Sequence, residues 1–326
     1  MRRRMSQKTR QNDMTVRELI KKGQEKLEAA GKDGAAFDAR ALLSFVMDIP
    51  FRSMTVHYGD EPSDGQAADF LELIGRRLSG EPLQYITGEQ EFMGLDFHVD
   101  ERVLIPRLDT EILAEEAVRY VQKKLAENHQ ESSAGVNGSC SPFTVLDLCC
   151  GSGAIGLSVA KLAVSGSGQD ENEVRVVLSD ISGDALDAAR ENAESLGVAD
   201  MTDFIQSDLF EDLPDDLSDG ICDMQFGLIT ANPPYIRSEV IDTLDCEVKD
   251  CEPRLALDGG RDGLDVYRRI ISEAPDHLEA GGRLMMEIGF DQAEDIRRLL
   301  EEDGRYSGIT IRKDLAGLDR AVICTV

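Results

Sequence analysis

The sequence predicts an α/β fold: a mostly parallel sheet covered by helices on both faces, preceded by a small helical bundle and a hairpin. Three observations predict it. From about residue 143 onward, short apolar β-leaning runs alternate with amphipathic helical stretches, the pattern of a parallel sheet. Between Thr15 and about Leu78, apolar residues recur at helical spacing only. The first strand run of the later region ends in a glycine-rich turn that opens a helix.

Residues 1–13 are polar and basic and are expected to be a disordered tail. In 14–82, Val16, Leu19, Ile20 and Leu27 mark one helix, Ala39, Leu42, Leu43 and Val46 a second, and Phe70, Leu71, Ile74 and Leu78 a third. Gly31 to Gly34, Asp48-Ile49-Pro50 and Glu61-Pro62-Ser63 separate them. Residues 83–105 carry Gly88 and Gly94 among Phe92 and Phe97 and end in Val103-Leu104-Ile105, which suggests a hairpin linker. Pro106 opens a helix over about 109–126 and begins a domain that runs over 106–326. Strands are expected at 143–148, 174–179, 203–206, 226–231, 283–288, 309–312 and 320–326, with Gly281-Gly282 as a turn. Helices are expected at 154–163, 184–196, 264–278 and about 291–302, and 128–141 and 165–173 read as surface insertions.

Charge is the compositional outlier. With 63 acidic and 35 basic residues the net charge is −28, which disfavours a large nucleic-acid footprint. Of the basic residues only 10 are Lys, a balance expected of a chain adapted to high salt. The basic start, Met1-Arg2-Arg3-Arg4-Met5, is followed by no apolar stretch, so neither a signal peptide nor a membrane span is expected. The seven cysteines show no C-x-x-C pair, so no zinc site or disulfide framework is indicated and a reducing cytoplasm is the expected location. Adjacent Cys149 and Cys150 read as small packing residues rather than a redox pair.

Two constellations carry chemistry. Asn232-Pro233-Pro234-Tyr235 follows the apolar run Phe226–Ala231 and so lies at the carboxyl end of a buried strand, where open α/β sheets bind ligands. Asn232 offers a carbonyl acceptor, the two prolines stiffen the turn and leave carbonyls available, and Tyr235 can cover a flat group. These parts suit a planar –NH2; the alternative is a plain strand-ending turn. The second constellation is Asp147 to Gly153, running strand, tight turn, helix, with Gly151 and Gly153 allowing close backbone approach. Asp180 ends the next strand where a carboxylate would hold a ribose hydroxyl pair, or would cap the following helix with Ser182. Asp208 follows the third strand and can accept from an exocyclic amine, with Leu209 and Phe210 flanking a flat base. Gly156 completes G-x-G-x-x-G, so spacing leaves a nicotinamide dinucleotide enzyme open, although hydride transfer has no evident use for Asn232 to Tyr235.

With these residues in place, the chain resembles class I S-adenosylmethionine methyltransferases, and within them the protein-(glutamine-N5) methyltransferases that modify peptide-chain release factors. Nearly the whole chain carries the resemblance: the helical amino-terminal domain, Glu89 to Gly94, Val103 to Glu111, residues 147–153, Asn232 to Tyr235, Glu252 to Leu257, Asp262-Gly263-Leu264, Glu287-Ile288-Gly289 and Asp314 to Gly317. Asn-Pro-Pro-Tyr by itself also marks adenine-N6 DNA methyltransferases, and related forms mark RNA enzymes. The resemblance implies a Rossmann-like, mostly parallel seven-stranded sheet and methyl transfer from S-adenosylmethionine, without a metal, to the glutamine of the Gly-Gly-Gln tip of class I release factors. Product S-adenosylhomocysteine, no membrane and no direct nucleic-acid substrate go with it. It further implies a cofactor site made of Asp147, Cys149, Cys150, Gly151, Ser152, Gly153, Asp180, Asp208, Leu209 and Asn232, and a catalytic turn made of Asn232, Pro233, Pro234 and Tyr235. Asn232 and the Pro233 carbonyl are expected to take one amide hydrogen each. Arg107, Asp109, Thr110 and Glu111 either close over the cofactor or serve structurally, and the helical domain grips the protein substrate.

Three departures stand out. Cys149-Cys150 replaces the family's Gly-Thr, which would strain Cys149 by about 1–2 kcal/mol if the position has positive φ. Arg107-Leu108-Asp109 replaces Arg-Pro-Asp, and Ala231 replaces a Ser. Two other outcomes remain: an adenine-N6 DNA or RNA methyltransferase, and an inactive cofactor-binding scaffold for translation factors.

Overall fold

Thr15 and Ser63 each accept a hydrogen bond from the amide three residues on, while Glu18 and Gln66 reach back to them, so two capping boxes start two of the amino-terminal helices. The computed structural model describes residues 14–133, 142–164, 173–214 and 225–326. The 1–13 tail, most of the 165–173 insertion and residues 134–141 of the other lie outside the described residues.

The chain divides into two units. The first holds the described chain up to Gly88 together with Cys246–Cys251, and the second holds Glu89–Asp245 and Glu252–Val326. The first unit packs α1 (Val16–Ala29), α2 (Ala35–Met47), α3 (Asp64–Leu78) and α4 (Leu83–Thr87) around Leu19, Leu42, Leu43, Met54, Phe70 and Ile74. Arg77, buried in this unit, pairs with Asp38 at 2.7 Å and with Glu247 at 2.6 Å, and Lys32 reaches Glu247 at 2.8 Å. The expected uninterrupted run of 106–326 as one domain is interrupted by Cys246–Cys251, which belongs to the first unit.

The second unit opens with the hairpin β1 (Glu89–Phe92) and β2 (Leu95–His98), closed by the two-residue turn Met93-Gly94, both at positive φ. No strand forms at 103–105, where Val103 and Ile105 are simply buried. Helix α5 (Glu111–Ser133) runs further than expected and takes in the start of the 128–141 insertion. Then come β3 (Phe143–Leu148), α6 (Ala154–Ala163), β4 (Val174–Asp180), α7 (Gly183–Leu196), β5 (Thr202–Gln206), β6 (Phe226–Ala231), the short α8 (Ser238–Ile241) and, in the first unit, α9 (Cys246–Lys249). Helix α10 (Asp265–His277), β7 (Leu278–Glu287), α11 (Ala293–Asp303), β8 (Ser307–Lys313) and β9 (Asp319–Thr325) complete the fold. The sheet order is β5-β4-β3-β6-β7-β9-β8, parallel except for β9. Gly281-Gly282 lies inside β7 as an irregularity of register rather than as a turn before it.

Strand alternation divides the core. Val145, Val176, Leu178 and Leu228 face α5, α6 and α7, whereas Leu146, Leu148, Val177 and Ile229 face α10 and α11. Strand order reverses at β3, with β4 on one side and β6 on the other, which makes the carboxyl ends of these strands the place for a ligand.

Candidate active site

A cavity of about 310 Å³ lies in the second unit at those carboxyl ends. Cys149 to Ser152 reach it after β3, Asp180 to Ser182 after β4, Ser207 to Leu209 after β5, and Asn232 with Pro234 after β6. The structure thus brings together Cys149, Cys150, Gly151, Ser152, Asp180, Asp208, Leu209, Asn232 and Pro234 from the expected set. Asp147, Gly153, Pro233 and Tyr235 do not line the cavity.

The loop after β3 is held by its neighbours. Gly151 N donates to Asp180 Oδ2 at 2.9 Å, Cys150 N donates to Ser179 O at 3.1 Å, and Asn192 Nδ2 donates to Ser152 O at 3.0 Å. Three loop residues have positive φ: Cys149 at 54°, Gly151 at 54° and Gly153 at 80°. The expected strain at Cys149 is therefore present in the backbone, and nothing lies within 4 Å of a Cβ built on Gly151. Burial pushes the Cys149 and Cys150 thiols up, and the nearby Asp180 and Asp147 carboxyls push them further, so neither is a nucleophile at neutral pH.

Asp147 is fully buried. Its Oδ2 accepts from Gly156 N at 2.9 Å and its Oδ1 from the Thr230 hydroxyl at 2.8 Å, which ties β3 to α6 and β6. Burial pushes this carboxyl up to about 7, against the pull of those two bonds. Gly156 has a packing explanation: a Cβ there would lie 3.0 Å from the Asp147 side chain and 3.2 Å from Val176.

Asp180 ties the loop after β3 to the start of α7. Its carboxylate accepts from Gly151 N and from Ser182 N, each at 2.9 Å, while Ser182 caps α7. Burial raises its pKa, offset by the Ser182, Gly151 and Ile181 amides. A carboxylate offers about four acceptor positions, so these amides do not use them all. Asp208 is paired with Arg269 at 2.8 Å, and Ser207 donates to Leu209 O at 2.9 Å across a Leu209 φ of 57°.

Asn232 lines the cavity, and its side-chain amide makes no hydrogen bond among the described residues. The Pro233 carbonyl likewise accepts no backbone bond among them. The Tyr235 ring turns away from the cavity, its hydroxyl donating to Glu287 Oε1 at 3.3 Å. Burial pushes the Glu287 carboxyl up to about 7, with Thr110, Tyr235 and Arg320 pulling it back. Of the segment 107–111, Arg107 and Thr110 line the cavity; Arg107 pairs with buried Glu252 and Asp109 with Arg320, and Glu111 accepts from Met93 N at 2.6 Å.

Residues missed in the sequence include Asn192, Arg269 and Gln292. Each acts across a long separation in the chain and sits in an otherwise ordinary helix or helix start, so no local signal marks it.

Among the described residues, no helix is long and apolar enough to cross a membrane. A family profile described as the PrmC N-terminal domain matches residues 18–88, and one described as a methyltransferase domain matches 141–316. The chain is 36% identical over 310 residues to the release factor glutamine methyltransferase of Clostridium acetobutylicum, covering 95% of this chain and 98% of that one. It is 35% identical over 310 residues to that of Moorella thermoacetica, with 95% and 98% covered. Against that of Geobacter sulfurreducens it is 36% identical over 308 residues, with 94% and 95% covered. Matched along both units at this identity, the chain belongs to the release factor glutamine methyltransferase family.

Proposed function

We propose that the chain transfers the methyl group of S-adenosylmethionine to the side-chain amide nitrogen of the glutamine in the Gly-Gly-Gln tip of class I peptide-chain release factors. The observation that carries this reading is Asn232: a cavity-lining amide with no partner among the described residues, beside a carbonyl that is equally unclaimed. An amide nitrogen is a poor nucleophile because its lone pair is delocalised. Asn232 Oδ1 and Pro233 O each accept one of its hydrogens, which fixes the nitrogen and opposes the positive charge that grows on it during attack. Such positioning supplies several kcal/mol, up to about 7–11 for ideal alignment, and the two carbonyl dipoles add to it. Pro233 and Pro234 hold the acceptors in place because their φ angles are fixed.

The cavity residues fit the cofactor. Ser179 Oγ is buried, its residue lines the cavity, and it has no hydrogen-bond partner among the described residues, so a polar atom of a ligand has a hydroxyl to meet. Asp180 would hold ribose hydroxyls, Asp208 and Leu209 the adenine, and the 149–152 backbone the methionine part. The cofactor supplies a methyl group made electrophilic by its sulfonium. Asp147 serves this site indirectly, by fixing the start of α6 under the loop. Release factors act in the cytoplasm, and we infer that location.

The test is to offer labelled S-adenosylmethionine, in high salt, together with a release factor, DNA or RNA. Label on the glutamine of the release factor supports the reading. Label in DNA or RNA instead refutes it in favour of an adenine-N6 enzyme, and no transfer at all leaves an inactive cofactor-binding protein.

A further inference from the structure

Two of the four residues at the acceptor turn are prolines, so Pro233 and Pro234 have no N–H with which to anchor it. The turn has to be held through its carbonyls and through the residues at its exit. β6 and β7 run parallel with Ala231 opposite Met286, so the segment leaving β7 passes beside the turn that leaves β6. That segment contains Gln292, a buried residue just ahead of α11.

The Gln292 amide is satisfied on both sides. Its Oε1 accepts from Gly289 N at 2.9 Å, and its Nε2 donates to Tyr235 O and to Gly263 O, each at 3.1 Å. The backbone behind the turn is correspondingly close. A Cβ on Gly263 would lie 2.4 Å from Tyr235 O, and one on Gly259 would lie 2.7 Å from Pro234 O. Ile236 N donates to Leu257 O at 3.0 Å and Gly259 N to Ile236 O at 2.9 Å, which fastens the exit of the turn to the same glycine-containing segment. Gln292 joins three segments at one point: the acceptor turn, the 259–263 backbone and the end of β7.

We propose that Gln292 is the positioning residue of the acceptor site: by donating to the carbonyls of Tyr235 and Gly263 it fixes the downstream end of the Asn232–Tyr235 turn, and with it the direction of Asn232 Oδ1 and Pro233 O. The inference rests on the acceptor role given to that turn above. Gln292 does not line the cavity, so it acts through Tyr235 and not on the substrate.

Gln292→Glu and Gln292→Met separate this role from a general packing role. Glu keeps an oxygen for Gly289 N–H but sets a second oxygen against two carbonyl oxygens. Met keeps the length of the side chain and loses all three bonds. Turnover on a release factor, KM for it, affinity for S-adenosylhomocysteine and thermal stability are measured for each. Both variants are expected to lose about 100-fold in kcat, the scale for displacing a reacting group by about 1 Å, while cofactor affinity changes by no more than about threefold. Wild-type kcat in folded Gln292→Glu, loss confined to Gln292→Met, or a parallel fall in cofactor affinity each overturns the inference. Should Gln292→Glu not fold, Gln292→Asn takes its place: one methylene shorter, it cannot span both carbonyls, and an undiminished kcat there has the same force. A wild type that methylates no release factor refutes the acceptor assignment and this inference with it, whereas an active wild type with an equally active Gln292→Glu refutes the inference alone.

Discussion

Replacing Cys149 tests how the loop after β3 tolerates a side chain at positive φ. Cys149 has a φ of 54°, and its neighbours are pinned by Cys150 N to Ser179 O at 3.1 Å and Gly151 N to Asp180 Oδ2 at 2.9 Å, so the loop cannot turn over to relieve it. A Cβ in the left-handed region costs about 1–2 kcal/mol. Glycine removes that cost but frees the unfolded chain, which takes back about 0.4–1 kcal/mol. Cys149→Ala keeps the Cβ and loses the half-buried thiol; Cys149→Gly loses both. Their difference isolates the backbone strain, and glycine should be the more stable by about 1 kcal/mol. For a unit of this size that is a rise of about 2–4 °C in Tm. Thermal denaturation of the two variants, with and without S-adenosylhomocysteine, reads it directly. An alanine variant as stable as the glycine variant would mean that the left-handed conformation carries no strain here.

Other expectations rest on the same geometry. Arg269→Met should weaken cofactor binding by about two- to fivefold, the range for a half-exposed ion pair, because Asp208 loses the partner now at 2.8 Å. The difference should close near 1 M salt, where charges are screened within about 3 Å; equal affinities at low salt would remove Arg269 from the site. Asp147, raised to about 7, holds a proton in the folded state that the unfolded chain releases near pH 4. It therefore makes the protein lose stability as pH rises from about 4 to about 7, with no further effect above. Urea denaturation across that window should show a flatter dependence for Asp147→Asn, and an unchanged slope would contradict the assignment. Gly156→Ala should destabilise by about 1–3 kcal/mol through overpacking, since its Cβ would sit 3.0 Å from the Asp147 side chain; chemical denaturation measures it.

Signals confined to a few successive residues were legible in the sequence. The strand, turn and helix around Gly151 and the turn at Asn232 depend on local backbone chemistry, and the structure places both at one cavity. Burial was less legible: Asp147 reads as a ligand-facing carboxylate because its residue type is visible and its enclosure by Gly156 and Thr230 is not. Long-range partners were not legible at all, since Gln292 meets Tyr235 from 57 residues away and Asn192 meets His98 from 94. Cys246–Cys251 escaped for a related reason. Its short helix has no apolar stripe, and it lies in the first unit, where Glu247 pairs with Arg77 and Lys32. The glycine pair 281–282 reads as a turn because glycine punctuates chains, whereas the fold absorbs it as an irregularity within β7.

The central claim is that Asn232 holds the acceptor amide, and Asn232→Ala tests it most directly. Single-turnover methylation of a release factor should fall by about 100- to 1,000-fold, the scale for losing one preorganised hydrogen-bonding group, while the Kd for S-adenosylmethionine stays close to that of the wild type. An unchanged rate, or a rate loss matched by an equal loss of cofactor affinity, would contradict it.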